Sequence, residues 1–279
     1  MTEDGVSRPA PSLDPSTTPV VILCGGMGTR IREASEKLPK PMVDIGGKPI
    51  LWHVMKTYSH YGFRNFVLAL GYKSDSIKRY FLQYREHFSD FTLSLSAGHP
   101  PEFRDSTPLE DWYITFVETG LMTGTGARIR KLAPYLDSDH FLLTYGDGVG
   151  AVDVPALVEA HLSGGRVGTV TGVHPTSRYG EMHVSDGAVK EFNEKPTKAD
   201  GWVSGGFFVF ERAFVDKYLD DDDDGLLLEK APLQQLARDE ELTLYQHEGF
   251  WMGMDTFRDW TELNSMWDNG VAPWKVWQD

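Results

Sequence analysis

The chain holds a single cysteine, Cys24, among 279 residues. An intrachain disulfide is therefore excluded, and so is any CxxC metal or redox pair. No apolar run approaches the ~18 residues of a membrane-spanning helix. The first residues carry no basic stretch followed by an apolar one, so a cytoplasmic location is expected and a membrane partner is not. Positive charge is scarce: 27 Lys and Arg stand against 41 Asp and Glu, a net charge of -14. General binding of a nucleic-acid backbone needs a basic face and is not expected. A small anion can still bind where local Lys, Arg, backbone N–H groups or a metal overcome the overall field. With 41% hydrophobic and 12% aromatic residues the chain has the composition of a globular protein, not of a disordered one. A chain of this size buries about 75% of its unfolded surface and needs no staple.

Residues 1–18 are rich in Pro, Ser and Thr and read as a flexible tail, leaving one domain over 19–279. That domain opens with Pro19-Val20-Val21-Ile22-Leu23-Cys24, a continuous apolar run of the kind that forms a buried parallel strand. A helix is expected over Ile50–Tyr61, with Ile50, Val54, Met55 and Tyr58 on one face and Gly62 as its stop. Phe66–Leu70 reads as the next strand, and Ser74 as the cap of a helix to about His87. Strand patterns recur at Phe141–Tyr145, Val167–Val173 and Gly206–Phe210, with helical patterns at about Val154–Leu162 and Arg212–Leu219. Strands alternating with helices imply an α/β fold, a mainly parallel sheet of Rossmann-like character with helices on both faces. Ligands in such sheets sit at the carboxyl ends of the strands.

One such end is Leu23-Cys24-Gly25-Gly26-Met27-Gly28-Thr29-Arg30. Successive backbone N–H groups in a Gly-rich turn make an anion nest, and Arg30 adds a fork of donors matched to phosphate oxygens. The loop is not a dinucleotide fingerprint, because Ile31 stands where GxGxxG needs Gly, and no Gly-Lys-Ser/Thr follows to make a Walker loop. A ligand-free strand-to-helix turn would look the same from the glycines alone. Lys40 sits in Leu38-Pro39-Lys40-Pro41-Met42, where flanking prolines restrict the backbone around a lysine. A fixed lysine beside a phosphate loop is what charge stabilisation at phosphorus requires.

Through Gly25–Arg30 and Pro39-Lys40-Pro41-Met42 the sequence resembles the sugar-1-phosphate nucleotidylyltransferases. It looks most like their glucose-1-phosphate cytidylyltransferase branch, through Ile45–His53, Leu70–Lys73, Thr144–Val149, Gly205–Phe208, Gly249–Trp251 and Met254–Thr256. The resemblance covers about residues 19–276. It implies the mixed, mainly parallel sheet of the nucleotide-diphospho-sugar transferase type. It also implies a reaction in which CTP and α-D-glucose 1-phosphate give CDP-glucose and pyrophosphate. Arg30 and Lys40 are the implied catalytic residues. Leu23, Gly25, Gly26, Gly28, Thr29, Arg30, Thr119, Gly120, Thr125 and Gly126 would lie by the nucleotide. Tyr145, Gly180, Glu194, Lys195 and Gly206 would lie by the sugar phosphate. Asp147 and Asp255 would hold a catalytic Mg²⁺. Read without the resemblance, an Asp in a Gly-rich turn is more often a turn former. A homo-oligomer is also implied.

The chain departs from the branch in three places: Gly124 where Met is usual, Ala127 where Gly is usual, and Ser204 where Asn is usual. These keep one alternative open: a sister enzyme using dTTP, UTP or another sugar 1-phosphate. A second alternative is a non-catalytic regulatory subunit that binds sugar nucleotides, but such a subunit is expected to lose Arg30, Lys40, Asp147 or Asp255, and all four are present. The run Asp220–Asp224 reads as a solvated loop. The Trp-rich residues 250–279 read as a segment packed on the domain or on another subunit. His53 reads as a packed histidine and Cys24 as a buried, inert thiol.

Overall fold

The computed structural model describes residues 13–26, 38–96, 98–104, 109–174, 181–185, 188–193, 201–220 and 222–278. At its centre is a seven-stranded sheet of β1 (Pro19–Leu23), β2 (Asn65–Leu70), β3 (Tyr113–Glu118), β4 (His140–Tyr145), β5 (Gly168–Val173), β6 (Val203–Glu211) and β7 (Leu242–His247). Their order across the sheet is β7-β5-β6-β4-β1-β2-β3. β1 is parallel to β2 and β4, β2 to β3, and β5 to β7, whereas β6 runs antiparallel to both β4 and β5. The sheet is therefore mixed and mainly parallel.

The pleat divides β1 between two apolar layers. Val20 and Ile22 join α1 (Ile50–His60) and the C-terminal tryptophans on one face. Val21 and Leu23 join Phe141, Leu143, Phe208 and Phe210 on the other. Both faces are covered, which is why β1 reads as an unbroken apolar run rather than an alternation. In α1, Ile50, Val54, Met55 and Tyr58 are all buried, and Gly62 follows at φ +94°.

The expected helix from Ser74 to His87 is two helices, α2 (Ser74–Leu82) and α3 (Tyr84–Phe88). Ser74 is not its cap. Lys73 occupies that position in a left-handed conformation at φ 51°, with no side-chain capping bond. Across the break at Gln83, Tyr84 and Phe88 still pack beside Tyr80, the Tyr80–Tyr84 centroids being 5.7 Å apart. Further on lie α4 (Thr125–Lys131), α5 (Val154–Gly164), α6 (Ala213–Tyr218), α7 (Ala231–Arg238) and α8 (Phe257–Asp268). Asp153 caps α5 by accepting from the Ala156 N–H at 3.0 Å.

The sequence places the start of the domain at Pro19, but residues 13–18 already belong to the packed surface. Leu13 lies on the apolar layer beside α1, Thr18 is buried, and Asn65 Nδ2 donates to the Ser16 carbonyl at 2.9 Å. At the other end, Trp274 and Trp277 are buried in their own chain against Trp52 and His53. Those two rings are not available to a second subunit. His53 is fully buried, with Nε2 2.9 Å from the Ile45 carbonyl and Nδ1 accepting from Trp274 Nε1 at 3.4 Å. Among the described residues, no helix is long and apolar enough to cross a membrane.

Candidate active site

Asp147 follows β4 and Asp255 precedes α8, and a short ribbon brings them together. Gly148–Gly150 pairs antiparallel with Trp251–Gly253, and the Met254 N–H closes it by donating to the Asp147 carbonyl at 2.8 Å. Asp255 is fixed from its other side. Its N–H and that of Thr256 donate to Asp259 Oδ2 at 2.9 and 2.8 Å, and Thr256 Oγ1 accepts from the Asp259 N–H. This is a capping box at the start of α8.

Lys40 enters from a third element, a single 3-10 turn over Lys40–Met42 preceded by Pro39. Its ammonium donates to Asp147 Oδ2 at 2.6 Å and to Asp255 Oδ1 at 2.7 Å. The lysine side chain is 13% exposed and the two carboxylates 37% and 41%, so the acids still face solvent while the cation between them does not. Burial disfavours the Lys40 ammonium. The charges and hydrogen bonds of Asp147 and Asp255 outweigh burial and lift its pKa above the ordinary lysine value. Lys40 is therefore a permanent positive charge at this point.

These residues form one end of a cleft of about 510 Å³. Leu23, Gly25 and Gly26 line one wall, and Leu121–Thr125 with Gly225 and Leu227 line another. Gly25 is required by close approach: a Cβ there would lie 2.2 Å from Cζ of Arg128. Arg128 is itself buried, and among the described residues no carboxylate pairs with its guanidinium. It donates to the carbonyls of Leu70, Gly25 and Leu121 and to the Thr119 hydroxyl, and so ties β2, the glycine turn and the 119–124 loop together. Burial lowers its pKa from the ordinary arginine value. Below the turn, burial, reinforced by Asp147, pushes the Cys24 thiol up and keeps it protonated.

The wall opposite the glycine turn was not foreseen. The chain from Asp223 to Glu229 lies across the start of α4. The Gly124 N–H donates to the Asp224 carbonyl at 2.7 Å, and the Gly126 and Ala127 N–H groups to the Leu226 carbonyl at 3.0 and 3.2 Å. Asp224 also pairs with Lys131 at 2.9 Å and Arg130 at 3.6 Å. The last residue of the acidic run is thus anchored and not merely solvated. Glu229 accepts from the Tyr145 hydroxyl, and from Thr125 Oγ1 at 2.7 Å. Burial, then the Glu229 carboxylate, pushes the Tyr145 phenol up.

Of the residues singled out in the sequence, Leu23, Gly25, Gly26, Lys40, Thr125, Tyr145, Asp147 and Asp255 line this one cleft. Thr119 lies behind it, buried, donating to the Leu70 carbonyl at 2.6 Å. The Gly120 carbonyl approaches Gly71, Gly126 packs on Leu226, and Gly206 backs the Tyr145 ring. Gly28, Thr29, Arg30, Gly180, Glu194 and Lys195 lie outside the described residues. Glu229, a glutamate in a loop, carries no local signal in the sequence. Its meaning depends on Thr125, about a hundred residues away.

Two carboxylates that already share one cation are a donor set suited to a divalent ion. Among the described residues no group of three or more His, Cys, Asp or Glu could hold a metal. A Mg²⁺ here would need substrate oxygens and water to complete its shell, which is its ordinary habit.

The family model described as "Nucleotidyl transferase" matches residues 19–269. A protein of Bacillus subtilis (strain 168) named probable glucose-1-phosphate cytidylyltransferase is 46% identical over 257 residues, covering 92% of this chain and 99% of the relative. The glucose-1-phosphate cytidylyltransferase of Salmonella typhi is 42% identical over 259 residues, with the same 92% and 99% coverage. Among solved structures, HddC from Yersinia pseudotuberculosis complexed with GMP-PN superposes with a TM-score of 0.65 at 23% identity, over 90% of this chain and 99% of that one. A putative glucose-1-phosphate thymidylyltransferase from Bacillus anthracis gives 0.67 at 15% identity, over 94% and 98%. At such identities the two structures establish a shared fold alone.

Proposed function

The chain belongs to the nucleotidyl transferase family, and on that premise we propose that it is a glucose-1-phosphate cytidylyltransferase, making CDP-glucose and pyrophosphate from CTP and α-D-glucose 1-phosphate. Identities of 46% and 42% to proteins of that name, over nearly their whole length, support the substrate pair. One observation carries the chemistry: a buried, permanently charged lysine shared by two solvent-facing carboxylates at the end of the cleft.

In the proposed reaction an oxygen of the sugar phosphate attacks the α-phosphorus of CTP in line. A new P–O bond forms there, the α–β P–O bond breaks, and its electron pair leaves on pyrophosphate. The nucleophile is already an anion, so no general base and no covalent intermediate are needed. Catalysis then rests on positioning and charge stabilisation. Lys40 stabilises charge building on the α-phosphate, and its prolyl turn keeps it from swinging away. The N–H groups of the glycine turn, held open by Arg128, receive the triphosphate. Arg30 takes the leaving pyrophosphate. Glu194, Lys195 and Gly180 bind the sugar phosphate, assignments that rest on the resemblance of their motifs. Asp147 and Asp255 would hold Mg²⁺, which when bound neutralises and orients the triphosphate. A cytoplasmic location and a homo-oligomer complete the proposal on the same family grounds.

The test is pyrophosphate release by the purified protein with α-D-glucose 1-phosphate, Mg²⁺ and CTP, UTP, dTTP, ATP or GTP in separate reactions. Turnover confined to CTP is the expected result. Turnover with another nucleotide alone would overturn the base assignment. Silence with all five and with a panel of sugar 1-phosphates would overturn the enzyme reading.

A further inference from the structure

Glu229 belongs to no motif discussed above, yet it joins the two ends of the cleft. Its Oε1 accepts from the hydroxyl of Tyr145, at the end of β4, and its Oε2 from Oγ1 of Thr125, the first residue of α4. Both residues line the cleft. A carboxylate only accepts, and each hydroxyl has one hydrogen to give. Both hydrogens are spent on Glu229. Thr125 Oγ1 also accepts from the Leu228 N–H at 2.9 Å, which fixes its rotamer and leaves it one lone pair.

We propose that Glu229 is a positioning residue that sets the hydrogen-bond polarity of the cleft. By taking the protons of Tyr145 and Thr125 it makes both present oxygen lone pairs to the substrates. The cleft then reads a donor at each point, a hydroxyl or amino group, and refuses a phosphate oxygen. Tyr145 reads a sugar hydroxyl and Thr125 a donor on the nucleoside. Misbinding of either substrate's phosphate at these points is penalised because lone pair would face lone pair. The carboxylate also couples the two arms, since displacing either hydroxyl loosens the group that holds the other. Only the identity of the substrates rests on the cytidylyltransferase reading.

The test uses the full chain with Glu229→Gln, Tyr145→Phe and the double variant. Glutamine keeps the shape but adds a donor, so one of the two hydroxyls must reverse. Where that is Tyr145, the Michaelis constant for the sugar 1-phosphate should rise about fivefold in Glu229→Gln with kcat nearly unchanged, the worth of one neutral hydrogen bond. On that constant the double variant should be no worse than Tyr145→Phe alone, because Glu229 reaches the sugar through that hydroxyl. A deoxyfluoro sugar 1-phosphate, which cannot donate, should lose as much as the deoxy analogue at one ring position in the wild type, and that loss should vanish in Tyr145→Phe. Equilibrium binding of CTP, which needs no turnover, reads the Thr125 arm and should weaken by a similar factor where Thr125 is the hydroxyl that reverses. Unchanged sugar and CTP binding in Glu229→Gln, or additive losses in the double variant, would overturn the proposal. Wild-type turnover with CTP and glucose 1-phosphate separately tests the substrate assignment. If another pair is used, the same ratios are read on that pair.

Discussion

Gly124 stands where the cytidylyltransferase branch usually has methionine, and the structure makes that exchange costly in this chain. A Cβ on residue 124 would fall 2.3 Å from the Leu226 carbonyl oxygen, 2.7 Å from that of Gly225 and 2.8 Å from the Leu226 carbonyl carbon. All three are backbone atoms, so no rotamer change relieves the contact. The backbone of residue 124 is itself extended, at φ -70° and ψ 161°, and tolerates any side chain. The penalty is therefore one of space. Either the contact is compressed, at about 1–3 kcal/mol, or the 224–228 segment lifts. Lifting breaks the four bonds from Gly124, Gly126 and Ala127 N–H and from Leu228 N–H to Thr125, at ~1 kcal/mol each. Lost unfolded-state entropy returns about 0.4–1 kcal/mol for Gly124→Ala. The net expectation, compression less that return, is about 0.5–2.5 kcal/mol of destabilisation. At ~2.1 cal/mol/K of unfolding entropy per residue that is a fall in Tm of about 1–4 °C. Because Gly225 and Leu227 line the cleft, the Michaelis constant for the nucleotide should rise in the same variant. Gly124→Met should do more of both, although it restores the residue usual in the branch. Thermal denaturation with steady-state kinetics decides it. A Gly124→Met protein with the parental Tm and nucleotide Michaelis constant would refute the coupling of residue 124 to the 225–226 backbone.

Asp147→Asn should reduce turnover at ordinary Mg²⁺ by at least a hundredfold while circular dichroism and Tm stay near the parent's; near-normal turnover would sink its assignment to the metal and to Lys40. Two buried histidines set an acid limit on stability. Burial holds His53 at a pKa of about 4, and burial with the neighbouring His140 holds His161 at about 4, both below the ordinary histidine value of 6.5. The unfolded chain takes up protons first as pH falls, so stability is intact above pH 6.5 and is lost between there and pH 4, by about 2 kcal/mol per histidine at pH 5. Urea midpoints across that range should show it, and His161→Gln should flatten the slope. A midpoint unchanged from pH 7 to 5 would contradict the reading.

Much of the architecture was legible because burial on both faces of a sheet leaves a strong local mark. Val20–Leu23 and Phe141–Tyr145 are continuous apolar runs, and both are central strands. The antiparallel direction of β6 left no such mark, since a buried strand reads the same either way. Ser74 looked like a cap, but a left-handed Lys73 already turned the chain. For the site, the glycine turn and Lys40 stood out by themselves, whereas their meeting with Asp147 and Asp255 is a property of the fold. The Gly148–Gly150 and Trp251–Gly253 ribbon that accomplishes it is six residues of no distinctive composition. Glu229 and Arg128 lie further still from local legibility, because each is defined by what its polar atoms reach.

That ribbon also orders events during synthesis. Lys40 meets Asp147 across 107 residues but Asp255 across 215. A nascent chain that has emerged through β4 can form β1, β2, β3 and β4, four neighbours in the sheet, and with them the glycine turn and one carboxylate. The second carboxylate arrives only with about the last tenth of the chain, after the longest loop closure the site requires. Substrate-binding surface therefore precedes catalytic competence on the ribosome.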